Sequence, residues 1–497
     1  NRHGRRQSAA RRPQTTQLMG LLSGLRDRGL SGARRGLDRA MPDRGASEPD
    51  PPVIEGGKGG APTASASEND ENDESGRSLR WRLLVFAAVT LALLLPGSLA
   101  IGVVGNDEGT GALPEGWERA ERIVTTTSAD GRPGSLRDAV DSATRSGTDT
   151  VIVLKPTTYR LTKGCRRTDA RPGEGSDEND NEGGDLDLST VGGGIRIEGN
   201  GATVVQECPG QRVLHVTGDD RVDLSKVTLA GGQATAPLGQ GSGGALLSEG
   251  SSEITISDSM LTSNSAEDTG GAVTPSGPPA QLNLIRSVVS GNSAGSAGGG
   301  VWVLGDLHAT NSTITNNLAM TNGGAVATNA TLVFSTIVDN STTSPSGGRQ
   351  LGAVNLDSFA GYVAGGAGAP NSCSVERATS HGYNVGDDPS CGFGSGVGDL
   401  SDGPRDGVGL LGYYQGDLQE RPPVPARPPV PNGVLVDRVP PPTCLAHVKT
   451  DGQGRSRSGD RGCDVGSVEL PVGLDVPMTA TPARVAAAVS GRATYTG

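Results

Sequence analysis

Gly-Gly pairs begin at residues 243, 270, 298 and 323, at intervals of 27, 28 and 25 residues. Each is followed by a short apolar run, an apolar strand, a Ser and, five residues after that Ser, an Asn. The Ser and Asn positions are Ser259 with Asn264, Ser287 with Asn292, Ser312 with Asn317 and Ser335 with Asn340; the next Gly-Gly starts six residues after the Asn in each of three cases. A unit of about 25 residues with three short strands cannot bury its apolar face alone, so its copies must stack into a solenoid, here a parallel β-helix. Coils stack at about 4.8 Å, so equivalent residues form ladders along the axis. Asn264, Asn292, Asn317 and Asn340 are therefore expected to pass amide hydrogen bonds from coil to coil. The inward stacks expected are Ala245, Ala272, Val301 and Ala325 at one corner and Ile256, Leu284, Ala309 and Leu332 on one face.

Composition agrees with an all-β class. There are 78 glycines and only 3% aromatics, and each interior helical Gly costs about 1 kcal/mol relative to Ala. Net charge is −12. Residues 1–82 carry 15 basic and 11 acidic groups, leaving 28 basic and 44 acidic groups for the rest. The body thus repels phosphate, which excludes nucleic acid as its partner. The six cysteines, Cys165, Cys208, Cys373, Cys391, Cys444 and Cys463, lack metal-site spacing and all lie beyond the one long apolar run. They read as disulfides formed in an oxidising compartment, with near neighbours paired: Cys165 with Cys208, Cys373 with Cys391, Cys444 with Cys463.

The chain divides by composition. Residues 1–79 read as a disordered basic and polar tail. Residues 80–104 hold an uncharged run behind Arg80 and Arg82 that fits a cleaved signal peptide or a single membrane anchor, and both alternatives place residues 105–497 outside the cell. Residues 105–118 read as a linker, 119–357 as the β-helix with its N-terminal cap, 358–470 as a Gly- and Pro-rich C-terminal cap module, and 471–497 as a flexible tail. Within the N-terminal cap, Leu136, Ala139, Val140 and Ala143 recur at helical spacing behind Ser135, a candidate N-cap.

The segments Thr125-Thr126-Thr127 and Gly134-Ser135-Leu136-Arg137-Asp138-Ala139-Val140 resemble the N-terminal cap of bacterial secreted right-handed parallel β-helix proteins. The Gly-Gly repeats are similar to those of polymorphic outer-membrane proteins and pectate-lyase-like solenoids. Ser380-His381-Gly382-Tyr383-Asn384-Val385 and Cys463-Asp464-Val465-Gly466-Ser467-Val468-Glu469-Leu470 resemble the closing module of choice-of-anchor surface proteins. The resemblance implies a right-handed β-helix with a short N-terminal capping helix, an irregular disulfide-stapled C-terminal cap, and export.

A β-helix lyase needs Ca²⁺ on several carboxylates and an Arg or Lys as base. The candidates are Asp258, Arg286 and Asp339, near the turns of three coils; the plainer reading, isolated solvated residues, is preferred. The acidic stretch with Asp177, Asn179 and Asn181 begins like an EF-hand loop, but Glu182 stands where Gly is needed and Leu188 where the bidentate Glu belongs, which leaves at most weak Ca²⁺ binding. His215, in Val213-Leu214-His215-Val216, reads as a strand residue, since no second His approaches it in sequence. The expectation is a non-catalytic surface or secreted protein that contacts an extracellular glycan or a surface protein and needs no cofactor. A carbohydrate-active enzyme, lyase before hydrolase, is the alternative.

Overall fold

A computed structural model describes residues 116–165, 181–235, 241–413, 424–457, 461–470 and 481–482. The expected tail 1–79, the apolar segment 80–104, most of the linker, Asp177 and Asn179, and all but two residues of 471–497 lie outside them. Among the described residues no helix is long and apolar enough to cross a membrane.

The architecture is a parallel β-solenoid of about nine coils, all-β apart from short helices. Its N-terminal cap is the expected helix, Leu136–Ser146, where the Ser135 hydroxyl accepts from the Asp138 amide and Gly147 ends the helix at φ +61°. Leu136, Ala139, Val140 and Ala143 are buried in the solenoid core. The linker boundary drawn at 118 falls inside the fold: Trp117 is buried and donates from Nε1 to Asp223 Oδ2 at 2.8 Å.

Coils pair in parallel register. The expected face stack is present, Ile256 opposite Leu284, Leu284 opposite Ala309, and Ala309 opposite Leu332. The expected corner stack is corrected by one residue. Leu246, Val273, Val301 and Ala325 are the ones in register, while Ala245 and Ala272 align with Gly300 and Gly324. The cause is the triple Gly298-Gly299-Gly300, whose three residues pair with Asn322, Gly323 and Gly324 of the next coil. The positive φ of Gly243, Gly270 and Gly298 therefore belongs to the place that Asn322 takes in the next coil, so the fourth Gly-Gly pair is out of phase with the first three.

Two hydrogen-bond ladders run along the axis. Asn264 donates from both its backbone N and Nδ2 to Asn292 Oδ1, Asn292 likewise to Asn317 Oδ1, and Asn317 to Asn340 Oδ1, all at 2.9–3.1 Å. The second ladder is serine. The backbone N–H groups of Ser259, Ser287 and Ser312 donate to the hydroxyls of Ser287, Ser312 and Ser335 at 3.2, 3.1 and 3.3 Å. The residue before each ladder Ser, namely Asp258, Arg286, Asn311 and Phe334, has φ between +46° and +51°. A non-Gly residue held left-handed costs about 1–2 kcal/mol; the ladder side chains satisfy the buried amides at each corner and offset that cost.

The coils continue beyond Asp357, where the sequence period fades. Leu351–Phe359, Tyr362–Ala364, Cys373–Ser380 and Val385–Gly386 add strands in the same register. Gly361 follows Ser335 in the serine column without a hydroxyl, and its amide donates to Asn384 Oδ1 at 2.9 Å. Phe393 and the Cys373–Cys391 disulfide join the main core at this end. The rest of the C-terminal cap turns back along the flank formed by the three-residue strands. Tyr362 Oη donates to the Pro404 carbonyl at 2.6 Å, Arg427 donates to Thr315 Oγ1 at 3.0 Å, the Ser467 amide donates to Thr336 Oγ1 at 3.0 Å, and Val424 packs with Met260 and Val288. All three disulfides pair as expected, Cys165–Cys208, Cys373–Cys391 and Cys444–Cys463.

Candidate functional site

Two groups of side chains on the solenoid carry chemistry. The first is the trio singled out in the sequence. Asp258 and Arg286 occupy equivalent corners of adjacent coils, and Arg286 donates from Nε and Nη2 to the two oxygens of Asp258 at 2.8 and 2.7 Å. Each residue is only 8% exposed. The reading of these residues as solvated is thus corrected: stacking in one left-handed column brings guanidinium and carboxylate together in bidentate form, and the flank segment lies against them. Asp339 is not part of this pair. It precedes Asn340 in the other corner column and binds Arg427 instead. The two carboxylates of this trio are thus held by different guanidinium groups, Asp258 by Arg286 and Asp339 by Arg427.

The second group lies at the N-terminal end and was missed. The strand Leu186–Ser189 pairs with Leu214–Thr217 so that Asp187 is opposite His215. Their inward neighbours Leu186, Leu188, Leu214 and Val216 belong to the core, which by strand alternation places Asp187 and His215 on the outer side. His215 Nδ1 is 3.3 Å from Asp187 Oδ1, and its Nε2 is 3.5 Å from Glu249 Oε2 on the next coil. Asp185 Oδ2 is 3.6 Å from Arg212 Nη1. Asp185, Asp187, Arg212 and His215 are all buried, none more than 4% exposed, while the Glu249 side chain is 35% exposed. Ligand atoms of Asp185, Asp187 and His215 lie within 4.8 Å of one another.

The cap motif positions this group. Arg137 donates to the carbonyls of Gly183, Gly184 and Asp185 at 3.2, 2.9 and 2.7 Å, which fixes the approach to Asp185. Its Nε pairs with Asp130 at 2.9 Å. Burial raises the Asp130 pKa, but hydrogen bonds from Arg137 and from the Lys163 and Thr162 amides outweigh it and hold the carboxyl below its usual range. Asn181, the one described member of the EF-hand-like loop, donates from Nδ2 to the Asp187 carbonyl at 2.7 Å and accepts the Asp187 amide at Oδ1 at 2.8 Å. Its side chain therefore braces the main chain of Asp187. The signal in the sequence was the period itself: Leu-Asp-Leu at 186–188 and Leu-His-Val at 214–216 are 28 residues apart, one coil.

A third polar feature lies on an outer face. Asp306, Asn329, Asn355 and Arg377 fall in one register and are joined in series: Asn329 Nδ2 donates to Asp306, Asn355 Nδ2 to Asn329 Oδ1 at 2.7 Å, and Arg377 to Asn355 Oδ1 at 3.4 Å. Those bonds are exposed. No family model, no curated protein and no solved structure matches the chain.

Proposed function

We propose that this protein is an exported, non-catalytic β-helix of the choice-of-anchor or polymorphic outer-membrane type, acting at the cell surface or in the surrounding medium by contact with a glycan or a surface protein. The observation that carries this reading is the Asp258–Arg286 pair. A lyase base must reach a substrate proton within hydrogen-bond distance, whereas the Arg286 guanidinium is held by both oxygens of Asp258 and is nearly buried. Binding is instead assigned to the exposed row of Asp306, Asn329, Asn355 and Arg377, whose side chains repeat at the coil spacing. Three disulfides support an oxidising, extracellular setting.

The test uses the purified full chain on a glycan array and, in parallel, on acidic polysaccharides with added Ca²⁺. Binding without release of unsaturated sugars is expected, and Asn355→Asp together with Arg377→Glu should weaken it. Calcium-dependent cleavage of a uronate polymer would favour the lyase alternative and overturn this reading.

A further inference from the structure

We propose that Asp185, Asp187 and His215 form a site for one divalent cation of the zinc class, with Glu249 orienting the imidazole. This site is separate from the exposed row at Asp306, and neither proposal depends on the other.

Three observations lead to it. The ligand atoms of the three residues converge within 4.8 Å. Bonds of 2.0–2.2 Å around a tetrahedral zinc put neighbouring ligand atoms about 3.3–3.5 Å apart. His215 Nδ1 and Asp187 Oδ1 are 3.3 Å apart, longer than the roughly 2.7–2.9 Å of a charge-assisted hydrogen bond. His215 ligates through that nitrogen, while Nε2 faces Glu249 Oε2 at 3.5 Å. A carboxylate on the far nitrogen fixes the tautomer and raises the basicity of the ligating one.

Charge points the same way. Asp185 and Asp187 place two buried carboxylates beside the His215 imidazole, and a divalent cation would compensate them. Buried charge is tolerated when it is compensated in this way. Donor chemistry selects the ion: an imidazole with carboxylates suits zinc and its transition-metal neighbours, whereas Ca²⁺ takes six to eight oxygens. The site is also built before any ion arrives, since Arg137 clamps the carbonyls of 183–185 and Asn181 braces the main chain of Asp187. A bound ion would tie two successive coils together at the end of the solenoid where folding has the fewest neighbouring coils to build on.

The experiment uses the full chain, stripped with a chelator and titrated with Zn²⁺ alone, Co²⁺ alone or Ca²⁺ alone. Elemental analysis after gel filtration should find about one zinc per chain, as expected for a single site with three protein ligands and a water in the fourth position, and Co²⁺ should give the visible absorption of a tetrahedral complex. Zn²⁺ should raise the thermal midpoint where equal Ca²⁺ does not. His215→Gln should lower zinc affinity at least about tenfold, and Glu249→Gln, partly exposed and remote from the core, should lower it about tenfold with the β-sheet circular dichroism unchanged. Zinc that fails to bind the native chain, zinc bound by His215→Gln or by Glu249→Gln as tightly as by the native chain, or equal stabilisation by Ca²⁺ would each overturn the proposal.

Discussion

Gln350 Oε1 accepts from both the backbone N of Asn340 at 3.1 Å and its Nδ2 at 2.8 Å, and so takes the place that the next asparagine would occupy in the ladder. Its own Nε2 donates to the Gly365 carbonyl at 2.8 Å. A glutamine reaching across from a neighbouring segment thus ends a column of asparagines without leaving a buried amide unmet. The ladder is closed by a residue outside the repeat position.

Within that column, Asn292→Ala removes the acceptor for the Asn264 amide and the donor to the Leu261 carbonyl. Two buried polar groups are left unmet, at about 1–3 kcal/mol each. The expected loss is about 2–6 kcal/mol by urea unfolding. Asn329→Ala, in the exposed row, should change stability by less than about 0.5 kcal/mol. Equal effects at the two positions would contradict the ladder.

The Asp258–Arg286 pair makes a prediction about coupling. Removing one partner of a buried pair strands the other charge, whereas replacing both with apolar groups is often tolerated. Asp258→Ala alone should cost about 3–5 kcal/mol, and the double variant with Arg286→Met should recover a large part of that loss. A double-mutant cycle with no coupling would show that the two side chains act as separate surface groups.

Stability should also depend on pH through the flank segment. Burial pushes the Glu469 carboxyl up to about 8, helped by the charge of Asp464, and burial pushes Asp464 up to about 6 against the hydrogen bonds it accepts from the Leu470 and Asp437 amides. Both pKa values are higher folded than unfolded. Their contribution is therefore complete below the unfolded carboxylate pKa of about 4 and is lost as pH rises through the folded values. Asp130, Asp388 and Asp399 have lowered pKa values, because hydrogen bonds outweigh the burial that raises them, so their contribution is lost on the acid side instead. The thermal midpoint should fall from about pH 5 to about pH 8.5, and Glu469→Gln should flatten the upper part of that fall. A midpoint that rises over this interval would contradict the assignment.

The C-terminal motif shows the reach of local sequence. Cys463-Asp464-Val465-Gly466-Ser467-Val468-Glu469 packs along the flank of the solenoid, yet nothing near it in sequence reveals its partners. Arg457 donates to Asn311 Oδ1 at 2.8 Å from 146 residues away, and Arg427 reaches Thr315 from 112 residues away. The pairing of Cys444 with Cys463, by contrast, came from their nearness.

What the sequence by itself determined is whatever repeats within one coil. The asparagine ladder, the Ile256 to Leu332 stack, the capping helix behind Ser135 and the disulfide pairs all come from spacing, because stacking converts equal intervals into spatial neighbours. Even there Gly300, standing in the column of Ala245 and Ala272, shifted the expected corner stack by one residue, since a count of Gly-Gly pairs does not show which column each pair begins in. Tertiary structure alone decided the rest. Asp187 meets His215 because the coil of His215, which has no Gly-Gly pair before Leu214, still stacks in phase on the coil that follows Gly183-Gly184, Asp185 joins them because Arg137 holds its loop, and the flank segment buries Arg286 because the chain turns back after Gly386. Each of these contacts is set by where a coil or loop comes to lie against another, and that position is fixed by packing over the whole length of the solenoid.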